Sequence, residues 1–138
     1  MDGMERQAPD PSVVREAVVQ VYAARTVRWR GAFASYPWAG TYHLWPGPNS
    51  NTFVAYVARQ VPELGLDLPP TAIGKDYLGP TTFIARAPSG SGWQASLWGL
   101  AGVTVAREEG LEFNLLGLGF GVDINHGKLR LPGLGRWP

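Results

Sequence analysis

The chain has 138 residues, the usual size of one domain, so we expect a single hydrophobic core. Its charge is nearly balanced, with 12 basic and 11 acidic residues and a formal net charge of +1. Nucleic-acid binders normally carry a basic stripe that neutralises phosphates, so this balance argues against a nucleic-acid partner. There are no cysteines, which excludes disulfides, thiolate metal ligands and a cysteine nucleophile.

The first ten residues are polar and acidic, which predicts a disordered lead-in (residues 1–10) before one α+β domain (residues 11–138). They contain no apolar stretch typical of a secretory signal. No segment of the sequence approaches the ~20 apolar residues of a membrane span. We therefore expect a soluble, cytoplasmic protein, and no motif indicates a cofactor.

The first predicted element is a helix. Asp10–Ser12 suits a helix start, and apolar residues at helical spacing predict that the helix runs to about Ala24. Trp29, Phe33 and Tyr36 suggest a further turn or two, and Gly31 and Pro37 are expected to prevent a long continuation. Three arginines near its end are more typical of a solvated face than of a nucleic-acid site: Arg25, Arg28 and Arg30.

A proline-rich turn precedes a second predicted helix. We expect a short strand at Tyr42–Trp45, followed by a turn at Trp45–Pro48, where Gly47 permits a positive φ. All four residues of Asn49–Thr52 favour helix N-caps. Apolar residues at helical spacing follow them, and Pro62 ends the predicted helix.

The second half of the chain has the pattern of a sheet. Short alternating segments separated by turn residues predict an antiparallel meander of five to six strands, and so an α+β fold with helices first. On one segment, Trp93, Ala95 and Leu97 share a face. The six segments are Thr81–Arg86, Gly92–Trp98, Val103–Arg107, Leu111–Leu115, Phe120–Ile124 and Lys128–Leu131.

One segment superficially suggests a phosphate-binding loop. Leu68–Asp76 has a proline where that motif needs glycine and an acid where it needs the hydroxyl that binds magnesium. We interpret Gly74 as a turn residue with an unusual backbone angle. Lys75 and Asp76 are expected to form a local ion pair.

Other motif-like residues also lack the required spacing. Gly117–Gly121 is not a dinucleotide fingerprint, and its glycines indicate bulges or a tight corner of the sheet. His43 and His126 are the only histidines and supply no metal-ligand set. Glu108 and Glu109 are adjacent at a predicted turn, where we expect both to be solvated.

Ser50 has the setting that best suits catalysis. It lies at the start of the second helix, where free N–H groups stabilise an oxyanion, and His43 upstream could act as its base. Asn49 or Asn51 could orient the base or donate to the oxyanion. The more common role of serine at this position is to cap the helix. The candidate binding residues are Trp45, Asn49, Asn51, Lys75 and Asp76.

Several of these segments resemble the signature of a bacterial family known only as a domain of unknown function. The resemblance spans Tyr36–Arg136 and implies no established activity. It also implies further N-terminal sequence with an apolar segment, so part of the family domain is expected to be missing or replaced, and envelope association is an alternative to the cytoplasm. The segments are Trp45–Val54, Leu68–Tyr77, Ala87–Ser96, Gly110–Glu112 and Leu131–Gly133.

A more distant resemblance concerns Asn49–Phe53, which is similar to the N-C-x-x-F helix start of circularly permuted papain-like amidases. Ser50 stands where those enzymes have cysteine, and a serine hydroxyl is a poorer nucleophile than a thiolate. This resemblance implies a lapsed enzyme that keeps a binding groove. We therefore expect a non-catalytic binding or scaffolding module whose partner is a small molecule, peptide or protein. The alternatives are a serine-dependent amidase or acyltransferase and an obligate subunit of a protein complex.

Overall fold

The computed structural model describes residues 11–131 and 135–137. Two α-helices, α1 (Pro11–Ala34) and α2 (Ser50–Gln60), are followed by a 3-10 turn at Pro62–Leu64. The predicted α+β fold, with helices first and an antiparallel sheet second, is confirmed, while the predicted disordered lead-in lies outside the described residues. The strands are β1 (Ile84–Arg86), β2 (Gly92–Leu97), β3 (Ala101–Ala106), β4 (Gly110–Leu115), β5 (Leu118–Asp123), β6 (Lys128–Leu131) and β7 (Gly135–Trp137).

Helix α1 is longer than the sequence predicts. It continues past Ala24 and through Gly31 without interruption. A glycine inside a helix costs about 1 kcal/mol, and packing of the next turn offsets this cost. Ala32 is buried against α2, and the Phe33 ring lies 5.5 Å from the Phe53 ring. The predicted end near Ala24 is therefore wrong, because a tertiary contact outweighs a local preference.

The segment before α2 is a turn, and the predicted strand at Tyr42–Trp45 is wrong. The backbone N–H of His43 donates to the Pro48 carbonyl at 2.8 Å, so the loop closes on itself instead of pairing with the sheet. The predicted turn at Trp45–Pro48 is confirmed, and Gly47 has the expected positive φ of 133°.

Asn49 caps helix α2. Its side-chain oxygen accepts the Thr52 backbone N–H at 3.1 Å, and the Thr52 hydroxyl accepts the Asn49 backbone N–H at 3.0 Å. These two reciprocal bonds satisfy donors that a helix start leaves unpaired. Ser50 is already inside the helix. The prediction that Ser50 caps the helix is therefore wrong.

We expect Asn49→Ala to lower the free energy of unfolding by about 2–3 kcal/mol, because it removes the cap and the bonds of its amide nitrogen. That nitrogen donates to the carbonyls of Leu44 and Ile73 at 3.0 and 2.9 Å. Ser50→Ala is the matched control and should change stability by less than about 0.5 kcal/mol. Urea unfolding of both variants measures the difference. Equal losses would show that Ser50 shares the capping role.

The strands form one antiparallel sheet in chain order, so each strand pairs with its sequence neighbours. The predicted meander is confirmed, and each of its six segments overlaps one of the strands β1–β6. Strand β7 was not predicted. It pairs with β6 through Leu129↔Trp137 and Leu131↔Gly135.

The apolar core lies between the helices rather than under the sheet. Ala32 of α1 packs with Val57 of α2 and with Val61, the residue that directly follows α2. Phe53 and Tyr56 cover these three side chains. An adjoining cluster of aromatic rings continues this core toward the loops, with centroid distances of 5.0–6.4 Å. Its members are Trp29, Phe33, Tyr36, Trp38, Phe53, Tyr56 and Tyr77.

Candidate functional site

The two faces of the sheet have opposite character, and the polar face is the buried one. Successive strand residues point to opposite faces, so the register assigns every residue of β1–β6 to one face. The inner face lies under α2 and the loop at residues 65–79. Lys128 at its margin is exposed, and its other polar residues are at most 7% exposed: Gln94, Ser96, Thr104, Glu112, Asn114, Asp123 and Arg130.

A charged network fills the space between the inner face and this loop. The Lys75 ammonium pairs with Asp76 at 3.0 Å and with Glu112, which reaches it from β4. The Gln94 amide donates to Asp76, and the Arg59 guanidinium of α2 donates to Gln94. The predicted ion pair of Lys75 and Asp76 is confirmed, and it is one part of a larger buried network.

Burial and charge act in opposite directions within this network. Burial lowers the pKa of the Lys75 ammonium, but the attraction of Asp76 and Glu112 outweighs it and holds the pKa above its ordinary value. Burial raises the pKa of Glu112, and Lys75 limits that rise. Burial lowers the pKa of Arg59 to about 10, so this group is also charged at neutral pH. The network therefore tethers the loop to the sheet through paired charges.

Two further contacts attach loops to the sheet and to one of its turns. Arg130 of β6 forms a two-pronged ion pair with Asp67, with one bond of 2.7 Å. Glu109 accepts the backbone N–H of Ser89 at 2.9 Å and also its hydroxyl. Glu108 is exposed as predicted, but Glu109 is 3% exposed. The prediction that Glu109 is solvated is wrong, because it caps the turn that contains Ser89.

Glycines let the loop approach the sheet closely. A Cβ on Gly119 of β5 would lie 2.8 Å from the Pro70 side chain and 3.0 Å from its backbone. Gly117 has a φ of 88° in the turn between β4 and β5, beside Leu116, which has a φ of 53°. The predicted bulge or sheet corner is therefore replaced by a tight turn at Gly117, and Gly119 serves close packing inside β5.

The outer face of the sheet is apolar and exposed. Its large side chains have exposed fractions of 40–66%, and Arg86, which lies 4.4 Å over the Trp93 ring, is the only charged residue on this face in β1–β6. We call this surface the apolar face. Its large residues are Ile84, Trp93, Leu97, Val105, Phe113, Leu115, Leu118, Phe120, Val122 and Leu129.

The apolar face is hollow on one side and raised on the other. A hollow of about 530 Å³ lies over β1–β3, where the small side chains of Ala95 and Ala101 lie opposite Ile84 and Leu97 on the neighbouring strands. On β4 and β5 the directly paired Phe113 and Phe120 stand out from the sheet. No motif in the sequence marks this face. Apolar and polar residues alternate along β2, so the sequence indicates two different faces. This alternation does not show which of the two faces the rest of the chain covers.

Ser50 lies on the wall of a shallow pocket of about 350 Å³ beside the start of α2. Aromatic rings of Tyr36, Trp38, Tyr42 and Phe53 line much of this pocket. The Ser50 side chain is exposed. The structure thus gives Ser50 access to solvent.

His43 is also exposed, and it is not among the residues that line the pocket. The other histidine, His126, lies in the turn between β5 and β6, where its Nδ1 is 3.0 Å from Asp123. The catalytic roles of Ser50 and His43 stay a prediction.

The predicted binding residues all make internal contacts. The Trp45 indole N–H donates to the Leu116 carbonyl at 3.0 Å, and the Asn51 amide donates to Ile73 at 2.9 Å. Asn49 is the buried cap of α2. Lys75 and Asp76 are 4% and 7% exposed. These five residues join the α2 start, the loop and the sheet, and their roles toward a ligand stay predictions.

The segment that carries these internal contacts is also the segment with a family match. Residues 32–77 match the model of a family described as Protein of unknown function (DUF3750). The predicted resemblance to a domain family of unknown function is confirmed for this segment. No curated protein and no solved structure matches the chain. The match contains α2, its cap and all but the last two residues of the loop at residues 65–79, and it ends before the sheet begins.

Two features of the described residues concern membranes and metal ions. Within residues 11–131 and 135–137, no helix is long and apolar enough to cross a membrane. In the same ranges, no group of three or more His, Asp or Glu side chains is placed to hold a metal ion.

Proposed function

We propose that this domain is a non-catalytic binding module and that it binds through the apolar face of its sheet. The observation that carries the proposal is the orientation of the sheet, with polar side chains inside and apolar side chains outside. Strands β1–β6, spaced ~4.8 Å apart with a rise of ~3.3 Å per residue, give a face of roughly 500 Å². Patches of this size on single domains mark interaction sites.

The distribution of polar groups supports binding over catalysis. Charged side chains with shifted pKa values, such as Lys75 and Glu112, lie between the loop at residues 65–79 and the buried inner face, and they pair with one another. The apolar face offers an apolar surface and one arginine at its edge. Such a surface gains free energy when a partner removes it from water, at about 25 cal/mol per Å². A proton-transfer reaction needs groups that this face does not carry.

The absence of cysteine in the sequence allows a direct test by thiol protection. Val105→Cys places one thiol on the apolar face, and Val27→Cys places one on α1. Val105 and Val27 are 55% and 71% exposed. In intact cells that express each variant, we expect a permeant maleimide to alkylate Cys at position 105 at least about tenfold more slowly, because a partner covers the face.

Reaction rates after denaturation correct for differences between the two thiols. Equal, fast alkylation at both positions in cells would mean that the apolar face remains open to water. That result would remove the proposed function. The relation to papain-like folds stays a prediction and plays no part in this test.

A further inference from the structure

We propose that the partner which covers the apolar face is a second copy of this chain. This inference rests on the proposed function and names its partner. The two copies would pack their sheets face to face as a sandwich about 10 Å apart, the usual spacing of stacked sheets. The polar inner faces and their loops would then form the two outer layers of the dimer.

The shape of the apolar face favours its own copy. The hollow over β1–β3 and the raised phenylalanines on β4 and β5 lie on opposite halves of one face. We place the two-fold axis midway between the two sheets, parallel to the strands and above the gap between β3 and β4. Rotation about this axis reverses the strand order of the second copy. Phe120 then lies over the partner copy's Ala95 region, and Phe113 lies over its Val103 region. Both contacts occur twice, as a two-fold interface requires.

The register supports this arrangement. Ala95, Val103, Phe113 and Phe120 belong to one row across neighbouring strands, because the pairs Ala95↔Val103, Val103↔Phe113 and Phe113↔Phe120 are aligned. Rotation about an axis parallel to the strands keeps residues of one row opposite one another. The alternative axis, perpendicular to the strands, would set hollow against hollow and leave a void, which packed interfaces avoid.

Size and charge are also compatible with a dimer. Two faces of roughly 500 Å², increased by the relief of their side chains, reach the lower end of the range of about 1,200–2,000 Å² in which stable interfaces lie. Arg86 lies on β1 at the edge of the sheet, so the two-fold places it over the far edge of the second copy. The two arginines are therefore far apart, and no like charges meet in the interface.

The test is the mass of the purified chain as a function of concentration, measured by sedimentation equilibrium. We expect a dimer for the wild type. Phe113→Asp should raise the dissociation constant at least about 100-fold, because it buries a carboxylate opposite an apolar surface. Val27→Asp on α1 is the matched control and should leave the constant within about threefold of the wild type. A monomeric wild type, or a dimer that Phe113→Asp leaves intact, would overturn the proposal.

A second measurement keeps the proposal testable if Phe113→Asp fails to fold. In purified Val105→Cys protein, alkylation by a maleimide should become slower as the protein concentration rises, because the dimer covers this thiol, whereas the rate for Val27→Cys should stay constant. If the rate for Val105→Cys does not change with concentration, the second copy is excluded.

The thiol protection of Val105→Cys separates the two proposals. Protection in cells but not in purified protein at the same concentration would keep the proposed function and reject the second copy in favour of another partner, including a lipid surface. Absence of protection in both settings would reject both.

Discussion

Lys75→Met should lower the free energy of unfolding by about 3–5 kcal/mol, the cost of leaving a buried charge without its partner. Lys75 is the cation that Asp76 and Glu112 share inside the molecule. The Glu112 oxygen Oε2 already has no hydrogen-bond partner among the described residues. Removal of Lys75 therefore leaves the buried carboxylates of Asp76 and Glu112 without the cation that pairs with both of them. Urea unfolding at neutral pH measures the loss.

The pH dependence of this variant follows from Glu112. Burial raises the pKa of Glu112, and without Lys75 the group that limits the rise is gone. The folded state then binds a proton more tightly than the unfolded state, so the stability of Lys75→Met should increase as the pH falls from about 8 to about 5. The double variant Lys75→Met/Glu112→Gln should be more stable than Lys75→Met at neutral pH. The difference in free energy of unfolding between the two variants should become small at low pH. A flat pH profile for Lys75→Met would contradict the role given to Glu112.

Gly74→Ala should destabilise the fold by about 3–4 kcal/mol, the combined cost of a strained backbone and a displaced cap. Gly74 has a φ of 96°, as the sequence predicts for a turn glycine, and an added Cβ would lie 2.3 Å from the side chain of Asn49. The Gly74 carbonyl also accepts the Thr52 hydroxyl at 2.6 Å. A methyl group here therefore strains the loop and disrupts the cap of α2 together.

Gly65→Ala is the matched control for backbone strain alone. Gly65 has a φ of 53°, and nothing lies within 4 Å of the Cβ that alanine would add. We expect a loss of about 1–2 kcal/mol for Gly65→Ala, the usual cost of a left-handed residue with a Cβ. If thermal unfolding gives equal losses for the two variants, the contact between Gly74 and the cap is not important.

The sequence predicts local structure well where the signal is local. The order of elements, the start of α2 and six strands follow from turn residues and alternation, and Gly47 and Gly74 have the expected backbone angles. The end of α1 could not be predicted, because packing of Ala32 and Phe33 on α2 extends it through Gly31. The burial of Glu109 depends on the Ser89 backbone N–H and hydroxyl, 20 residues away in the chain.

The candidate site was the hardest part to predict. The sequence pattern favours Ser50, Lys75 and their neighbours, because they have residue types that act in catalysis and binding. The structure places Lys75 in a buried network and shows an apolar face on the other side of the sheet. Alternation such as Trp93, Gln94, Ala95 identifies two faces, but an apolar face is normally the covered one. Only the position of the loop at residues 65–79 reveals that the polar face is inside.

The orientation of the sheet is the central claim, and thiol accessibility in a monomeric sample tests it most directly. Ser96→Cys lies on the inner face, where Ser96 is 3% exposed, and Val105→Cys lies on the apolar face. In the Phe113→Asp background, to keep the chain monomeric, we expect Cys at position 105 to react with a maleimide at close to its rate in denaturant. Cys at position 96 should react at least about tenfold more slowly. Fast reaction at position 96 with protection at position 105 would contradict the account, because it would mean that the apolar face is the one covered by the domain itself.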